Sequence, residues 1–239
     1  MEKSNYKDYL KLASKDYFIK SLKKTEQQKF LESILPRTTE KKEIADVACG
    51  AGTLSYHLNH LYESKNQFTL IDYFDDALKL AKEINSDENF NFYNYDITNL
   101  PNNFTEKFDL VFCWQTLSWI EDPESAINEL IKITKKGGKI YLSALFNIDH
   151  DVDIYSKVFD KSNKSVEAIG ISYNTFSELT VKNWIEDSVK SYQFLKFSPL
   201  IDLVHEGRGI GTYTINTDKG RIQVSAGVLM NWYILEITK

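Results

Sequence analysis

Residues 46–55 read DVACGAGTLS, and this stretch decides the fold class of the chain. It overlaps the apolar run EIADVAC at 43–49, which is typical of a buried strand, and it leads into a helical pattern. Gly50 and Gly52 allow a tight turn and a close approach of the backbone to a ligand, because neither has a Cβ. A strand, a glycine-rich turn and a helix in this order indicate a βα unit with a ligand-binding loop.

Further strand-like runs extend this unit into a sheet. Four of them alternate with amphipathic helical segments, at 68–72, 89–96, 108–114 and 139–146. This rhythm predicts an α/β fold, with a parallel sheet and helices on both of its faces. Later strands are predicted at 192–197 and 231–237, and a hairpin is predicted at 211–225, turning near Asp218-Lys219-Gly220.

The length of 239 residues favours one domain with additions. We divide this single domain, 1–239, into four parts. They are an N-terminal cap of two short helices at 1–42, a ligand-binding core at 43–147, an insertion or lid with a helix at 148–190, and closing strands with an inserted hairpin at 191–239. The helix in the third part is expected near 176–188.

The clearest helix signal lies before the fifth strand. Asp122-Pro123 offers an N-cap residue followed by proline at the first helical position. An apolar stripe follows, and Gly137-Gly138 is expected to end this helix.

Composition excludes several classes of protein. The 34 acidic and 29 basic residues give a formal net charge of -5, so the chain has no basic footprint for nucleic acid. No signal peptide and no membrane-spanning apolar run is visible, which predicts a cytoplasmic protein without membrane insertion. Cys49 and Cys113 are too few for a disulfide framework and are expected in the core. His57 and His60 lack a third ligand, so no metal site is predicted.

The residues that follow the first three strands describe a ligand. Ser55 stands where a dinucleotide-binding G-x-G-x-x-G loop has its third glycine, which disfavours a pyrophosphate. Asp72 ends the second strand, where a carboxylate can accept hydrogen bonds from both hydroxyls of a ribose. Asp96 ends the third strand, where an acid can accept from the exocyclic amine of an adenine. Together these features indicate adenosine without a phosphate.

The same residues resemble the class I S-adenosylmethionine (SAM)-dependent methyltransferases, especially the small-molecule group that includes quinone-biosynthesis enzymes. The resemblance covers 43–147 and is carried by DVACGAGTLS, Asp72, YDITNLP and FDLVFCWQTLSWIEDPESAINELIKITKKGGKIYL. It implies a Rossmann-like fold with a seven-stranded, mostly parallel sheet whose final strand is antiparallel. It also implies SAM as the methyl donor and S-adenosylhomocysteine (SAH) as the product.

The resemblance assigns roles to individual residues. Asp46, Ala48, Gly50 and Gly52 would line the methionine part of SAM, and Asp72 would bind the ribose. Where the family often has a histidine, this chain has Trp119, which removes the nearest precedent for a catalytic histidine. The remaining residues would surround the adenine: Tyr73 packing on it, Asp96 and Ile97 reading its edge, and Trp114 closing the pocket.

The candidate residues for binding and deprotonating the methyl acceptor lie outside the core. His205 and Glu206 are the first candidates for a general base, with His150 and Tyr173 as alternatives. Arg208 is a candidate clamp for an anionic group, because a guanidinium matches carboxylate or phosphate geometry. Tyr173 is also a candidate substrate-binding residue.

The chemical class of the methyl acceptor is inferred mainly by excluding other classes. CWQT at 113–116 replaces the N/D-P-P-Y/F/W motif of enzymes that methylate DNA bases, so nucleic acid is not expected as a substrate. We expect O- or N-methylation of a small polar metabolite, anionic ones included, in a surface-polysaccharide (capsule sugar or phosphoramidate) or specialised-metabolite pathway. The alternatives are a quinone or lipid precursor as the acceptor, aminopropyl transfer, or a non-catalytic binding subunit. A monomer or a homodimer is expected.

Overall fold

The computed structural model describes residues 23–37, 39–62, 66–159, 170–204, 212–218, 220–225 and 228–239. Strands dominate it and fall into one central sheet and several small ones. The central sheet contains β1 (Glu43–Val47), β2 (Gln67–Asp72), β3 (Phe90–Asn94), β4 (Phe108–Trp114), β5 (Thr134–Ser143), β10 (Ser191–Phe197) and β14 (Trp232–Thr238). The shorter strands are β6 (Phe146–Asn147), β7 (Lys157–Val158), β8 (Ile171–Ser172), β9 (Phe176–Ser177), β11 (Tyr213–Thr217), β12 (Gly220–Ser225) and β13 (Val228–Met230).

The central sheet has the order β3-β2-β1-β4-β5-β14-β10. Neighbouring strands from β3 to β5 pair in parallel, and β14 pairs antiparallel with both β5 and β10. The order reverses between β1 and β4, which is the place where open α/β sheets bind ligands at their carboxyl ends. The predicted Rossmann-like sheet of seven strands with an antiparallel final strand is confirmed.

Helices cover both faces of this sheet. They are α1 (Glu26–Ile34), α2 (Thr53–Leu61), α3 (Asp75–Ile84), α4 (Pro123–Ile133) and α5 (Glu178–Ile185). One apolar cluster packs α4 and α5 against the sheet, and a second packs the apolar residues of α1 and α2 together with Ala81 of α3 against the other face. In the described part of the chain, no helix has the length and apolar character needed to cross a membrane.

The end of α4 corrects the prediction. Asp122 caps the helix as expected by accepting from Ser125 N, but the helix ends at Ile133 rather than at Gly137-Gly138. Both glycines belong to β5, which pairs with β4 through a register shift between Phe108 and Leu110. Here Gly137 N donates to Lys239 O at 2.8 Å and Gly138 O accepts from Lys239 N at 3.1 Å, and Gly137 adopts a φ of 76° within the strand. Tertiary pairing therefore outweighs the local helix-stop signal.

The segments outside the core are partly as predicted. α1 and α5 lie within the predicted helical stretches, and the first of the two predicted N-terminal helices was expected within 1–22, which lie outside the described residues. β11 and β12 form the predicted hairpin, in which Thr217 pairs with Gly220, whereas the third strand of this small sheet, β13, was not predicted. Within the predicted insertion β7 pairs with β8, and β9 pairs with β6, which lies at the end of the predicted core. The division into cap, core and lid stays a prediction.

A polar bridge holds α1 against the carboxyl ends of two core strands. Gln27 Nε2 donates to Ser143 Oγ at 2.7 Å, and Gln27 Oε1 accepts from Gln115 Nε2 at 2.6 Å. Gln27 and Ser143 are both buried, so neither side chain can exchange these bonds freely for water. α1 begins at a capping box made by Thr25 and Gln28, which fixes its first turn beside the bridge.

Replacing Gln27 by alanine should destabilise the fold by about 2 kcal/mol, since two hydrogen bonds worth about 1 kcal/mol each are lost. Urea unfolding followed by circular dichroism measures the effect. Lys29→Ala on the same helix is the control, because Lys29 is exposed and forms a surface ion pair with Glu26; its effect should stay within about 0.5 kcal/mol. Equal losses in the two variants would contradict the bridge.

Candidate functional site

The loop after β1 has a left-handed backbone at three positions. Ala48, Gly50 and Gly52 have φ values of 57°, 55° and 71°. A Cβ at Gly52 would stand 2.6 Å from Asn85 Nδ2 and 2.9 Å from Leu70 Cδ2, whereas a Cβ at Gly50 would meet nothing within 4 Å. Gly52 is therefore required by packing of the protein itself. Gly50 leaves open space beside the loop, as expected where a ligand approaches the backbone.

Asp72, at the end of β2, ties this loop to the neighbouring strand. Its Oδ2 accepts from Gly50 N at 2.8 Å and its Oδ1 accepts from Phe74 N at 2.9 Å. Burial raises the pKa of Asp72, and these backbone hydrogen bonds offset part of that rise. Each carboxylate oxygen has two lone pairs, so the group can accept further hydrogen bonds from a ligand diol.

Asp46 is the second buried carboxyl beside the loop. It is 1% exposed, and its Oδ2 accepts from Ser55 Oγ at 2.7 Å. Its Oδ1 has no hydrogen-bond partner among the residues that the structure describes. Burial, reinforced by the charge of Asp72, raises the pKa of Asp46 to about 7. A cation or a hydrogen-bond donor bound beside Asp46 would stabilise its ionised form.

Ser55 was considered only as the residue that replaces a third glycine. Its bond to Asp46 instead makes it a support of the candidate site. The sequence offers one signal for this role, since a hydroxyl in the first turn of α2 lies just beyond the end of β1, where Asp46 stands. The length of that side chain matters, because it spans the gap between the helix and the strand.

The residues predicted to surround the adenine occupy the next strand ends. Tyr73 is half-buried and packs edge-on against Phe74, with ring centroids 5.1 Å apart. Asp96 is exposed, and its Oδ1 accepts from Thr98 N and Oγ1. The side chain of Ile97 belongs to the core, and Trp114 packs against the cluster that includes α1 and α2. They lie at the carboxyl edge of the sheet, the same edge as the loop after β1.

The loop after β4 connects this edge to the rest of the molecule. Gln115 has a left-handed φ of 56°, which is unusual for a residue with a side chain. Thr116 Oγ1 donates to Trp114 O at 3.1 Å and lies 3.5 Å from Ala48 O in the loop after β1. Gln115 reaches Gln27 of α1, a contact that the sequence did not predict because 88 residues separate the two.

The predicted acceptor residues separate into two groups. Tyr173 is buried, packs against Trp119 with ring centroids 4.5 Å apart, and its hydroxyl lies 2.6 Å from Ser225 Oγ. His150 is exposed beyond β6. His205, Glu206 and Arg208 lie outside the described residues. The structure therefore brings Tyr173 and Trp119 together, and it leaves the roles of the other candidates as predictions.

Comparison with known proteins agrees with this architecture. The sequence profile of the methyltransferase domain family matches residues 38–192. The ubiquinone/menaquinone biosynthesis C-methyltransferase of Shewanella sediminis is 29% identical over 159 residues, 62% of each chain. The ubiquinone biosynthesis O-methyltransferase of Hydrogenovibrio crunogenus is 30% identical over 111 residues, 46% of this chain and 45% of the relative. The chain thus spans 45% to 62% of the length of these curated relatives.

A solved structure gives the same picture of the fold. A chain in the complex between a Haloferax volcanii methyltransferase activator and a methyltransferase superposes with a TM-score of 0.67. The match covers 100% of this chain and 97% of that one, at 14% sequence identity. At this identity the likeness shows the fold alone.

Alanine substitution at the two glycines should separate packing from backbone strain. Gly50→Ala should cost about 1–2 kcal/mol, the cost of a left-handed backbone for a residue with a Cβ. Gly52→Ala should cost about 1–3 kcal/mol more, because its Cβ would overlap Asn85 and Leu70. Thermal and urea unfolding of both variants measure the difference. Equal costs would show that the close approach at Gly52 is not a constraint.

The stability of the ligand-free protein should fall as Asp46 ionises. Because its pKa is raised from 3.8 to about 7, the folded state holds a proton that the unfolded state releases, so stability falls as pH rises across this interval. Asp46→Asn should match the wild type near pH 4 and exceed it by at least about 1 kcal/mol at pH 8. Urea unfolding from pH 4 to 8 measures this.

Asp122→Asn is the control of opposite sign. Hydrogen bonds from Ser125 lower the pKa of Asp122, so its charge contributes stability that is present above the unfolded pKa. Removing that charge should cost stability at neutral pH and have no effect under acid conditions. An Asp46→Asn profile parallel to that of the wild type would refute the assignment at Asp46.

Proposed function

Because the chain belongs to the methyltransferase domain family, we propose that it is a SAM-dependent methyltransferase acting on oxygen or nitrogen of a small molecule. The observation that carries the proposal is the loop after β1, with the buried acids Asp46 and Asp72 on either side of it. This arrangement combines open backbone at Gly50 with two buried carboxyls, of which Asp46 has one oxygen without a hydrogen-bond partner among the described residues. It suits a nucleoside that carries positive charge and no phosphate.

The chain's own residues fit such a cofactor. Asp72 keeps lone pairs that can accept hydrogen bonds from a ribose diol. Asp46 Oδ1, which has no partner in the described part of the chain, can accept from the cationic methionine part of SAM. Ala48, Gly50 and Gly52 supply backbone beside it. Tyr73, Asp96, Ile97 and Trp114 are proposed for the adenine end of the same edge. SAM supplies the methyl group, and SAH is the product.

The work left to the protein is alignment in a water-poor site. Holding a nucleophile in line with a transferable group can supply about 7–11 kcal/mol of the barrier. An oxygen acceptor also requires removal of a proton, whereas a neutral amine does not. His205 and Glu206 are proposed as the base for an oxygen acceptor, and Arg208 as a clamp for an anionic group.

Two acceptor classes follow from different sources. The names of the relatives favour a quinone precursor, since both take part in ubiquinone or menaquinone biosynthesis. The residues beyond the core favour a polar metabolite, such as a precursor of a surface polysaccharide or of a specialised metabolite. The reaction proposed is the same in both cases, methyl transfer to a small molecule, with no nucleic acid as a substrate.

Calorimetric titration with SAM and SAH tests the proposal. Both should bind the wild type, and Asp72→Asn should weaken both by about tenfold or more, since hydrogen bonds to a charged group are worth about 1.5–3 kcal/mol. Asp75→Asn is the matched control, because Asp75 is an exposed acid three residues further on, and it should bind as the wild type does. Absence of binding to the wild type at millimolar ligand would end the proposal.

A further inference from the structure

The small sheet β11–β12–β13 has its polar side turned inward. Gln223 and Ser225 of β12 are 2% and 1% exposed, and Met230, which pairs with Gln223, is buried on the same face. The opposite face carries apolar residues, with Ile215 and Leu229 45% and 47% exposed. A sheet that only stabilised the fold would show the reverse pattern, because apolar burial drives folding. The inward polar face therefore calls for a separate explanation.

The side-chain amide of Gln223 lies in this inward face. Its Nε2 donates to Asn231 O at 3.1 Å, which fixes the orientation of the amide. Its Oε1 is buried and has no hydrogen-bond partner within the described ranges. Leaving a buried acceptor without a hydrogen bond destabilises a protein, so this atom points to a ligand that donates a hydrogen bond there.

A chain of hydroxyls lies beside Gln223. Ser225 Oγ is 2.6 Å from Tyr173 Oη and 3.0 Å from Thr212 Oγ1. The ring of Tyr173 packs against Trp119, which follows β4 at the edge where the cofactor is proposed to bind. The inward face of the sheet is thus continuous with the carboxyl edge of β4 through two aromatic side chains.

One carboxylate, that of Asp149, is linked to Gln223 through Asn231. Asn231, which accepts from Gln223 through its backbone, donates from Nδ2 to Asp149 Oδ2 at 2.6 Å. Tyr233 Oη also donates to Asp149, at 3.1 Å, and that carboxylate raises the pKa of Tyr233 further after burial has raised it. An ionised carboxylate or phosphate oxygen carries no proton, so it could not donate a hydrogen bond to Gln223 Oε1.

We propose that the inward face of β11–β13 binds the methyl acceptor, and that Gln223 selects neutral or cationic acceptors that donate a hydrogen bond from a hydroxyl or amino group. This inference rests on the proposed methyltransferase function and narrows its acceptor, and it replaces the role of Arg208 as a clamp for an anionic group. Sugars, amino sugars and amino alcohols have the required chemistry. Tyr173 and Ser225 position the acceptor through the hydroxyl chain, and the ring contact between Tyr173 and Trp119 connects this face to the end of β4.

Matched pairs of probe compounds test the class of acceptor. The pairs are glucosamine and glucosamine 6-phosphate, galactose and galacturonate, and ethanolamine and phosphoethanolamine. Binding to the protein saturated with SAH is measured by calorimetry, and turnover is measured as SAH release from SAM. At least one member without the anionic group should bind about tenfold or more tightly than its anionic partner, and that member should be methylated.

Gln223→Met tests the residue itself, since it keeps the length of the side chain and removes the acceptor oxygen. It should raise KM for the preferred compound about tenfold, with kcat and the Kd of SAH changing less than twofold. Gln193→Met is the matched control, because Gln193 lies on β10 and its amide contacts Glu236; it should behave as the wild type does. A purely structural role of Gln223 would lower stability and leave KM unchanged.

The outcomes separate this inference from the function on which it rests. If SAM and SAH fail to bind the wild type, the proposed function fails. If they bind and the anionic member of every pair is preferred, or no probe binds the SAH complex, the acceptor inference is overturned. An unchanged KM in Gln223→Met overturns it as well.

Discussion

The hydrogen bond from Gly50 N to Asp72 is the interaction on which the candidate site depends. It joins the loop after β1 to the end of β2, so the two strand ends form one surface at the point where the strand order reverses. Gly52 holds the other end of the loop against Asn85 and Leu70, where no side chain would fit. The loop is therefore shaped by contacts within the protein, and a ligand would find its backbone already in place.

The same arrangement has a cost in stability. Asp46 and Asp72 are both buried, and burial raises the pKa of both carboxyls. Burial, together with the charge of Asp72, disfavours ionisation of Asp46. A cationic ligand would relieve this strain, so the electrostatic cost of the ligand-free fold and the affinity proposed for SAM have one physical origin.

Much of the core could be predicted because its signals are local. The strands from β1 to β5 and the turn containing Gly50 and Gly52 follow from apolar runs and backbone requirements within a few residues. The end of α4 could not be predicted in this way. Gly137-Gly138 is a local helix-stop signal, but here both glycines form backbone hydrogen bonds with the distant residue Lys239. The strand β13 was missed because three residues carry too weak a pattern.

By itself, the sequence determined the fold class and the donor half of the candidate site, because glycines and acids at strand ends have few alternative uses. Only the tertiary structure decided which polar groups meet across the molecule. Gln27 reaches Ser143 across 116 residues, and Tyr173 reaches Ser225 across 52. The inward turn of Gln223 is equally invisible in the sequence, since strand alternation gives two faces and only packing selects the buried one. The acceptor side therefore rests on side-chain contacts that no local pattern encodes.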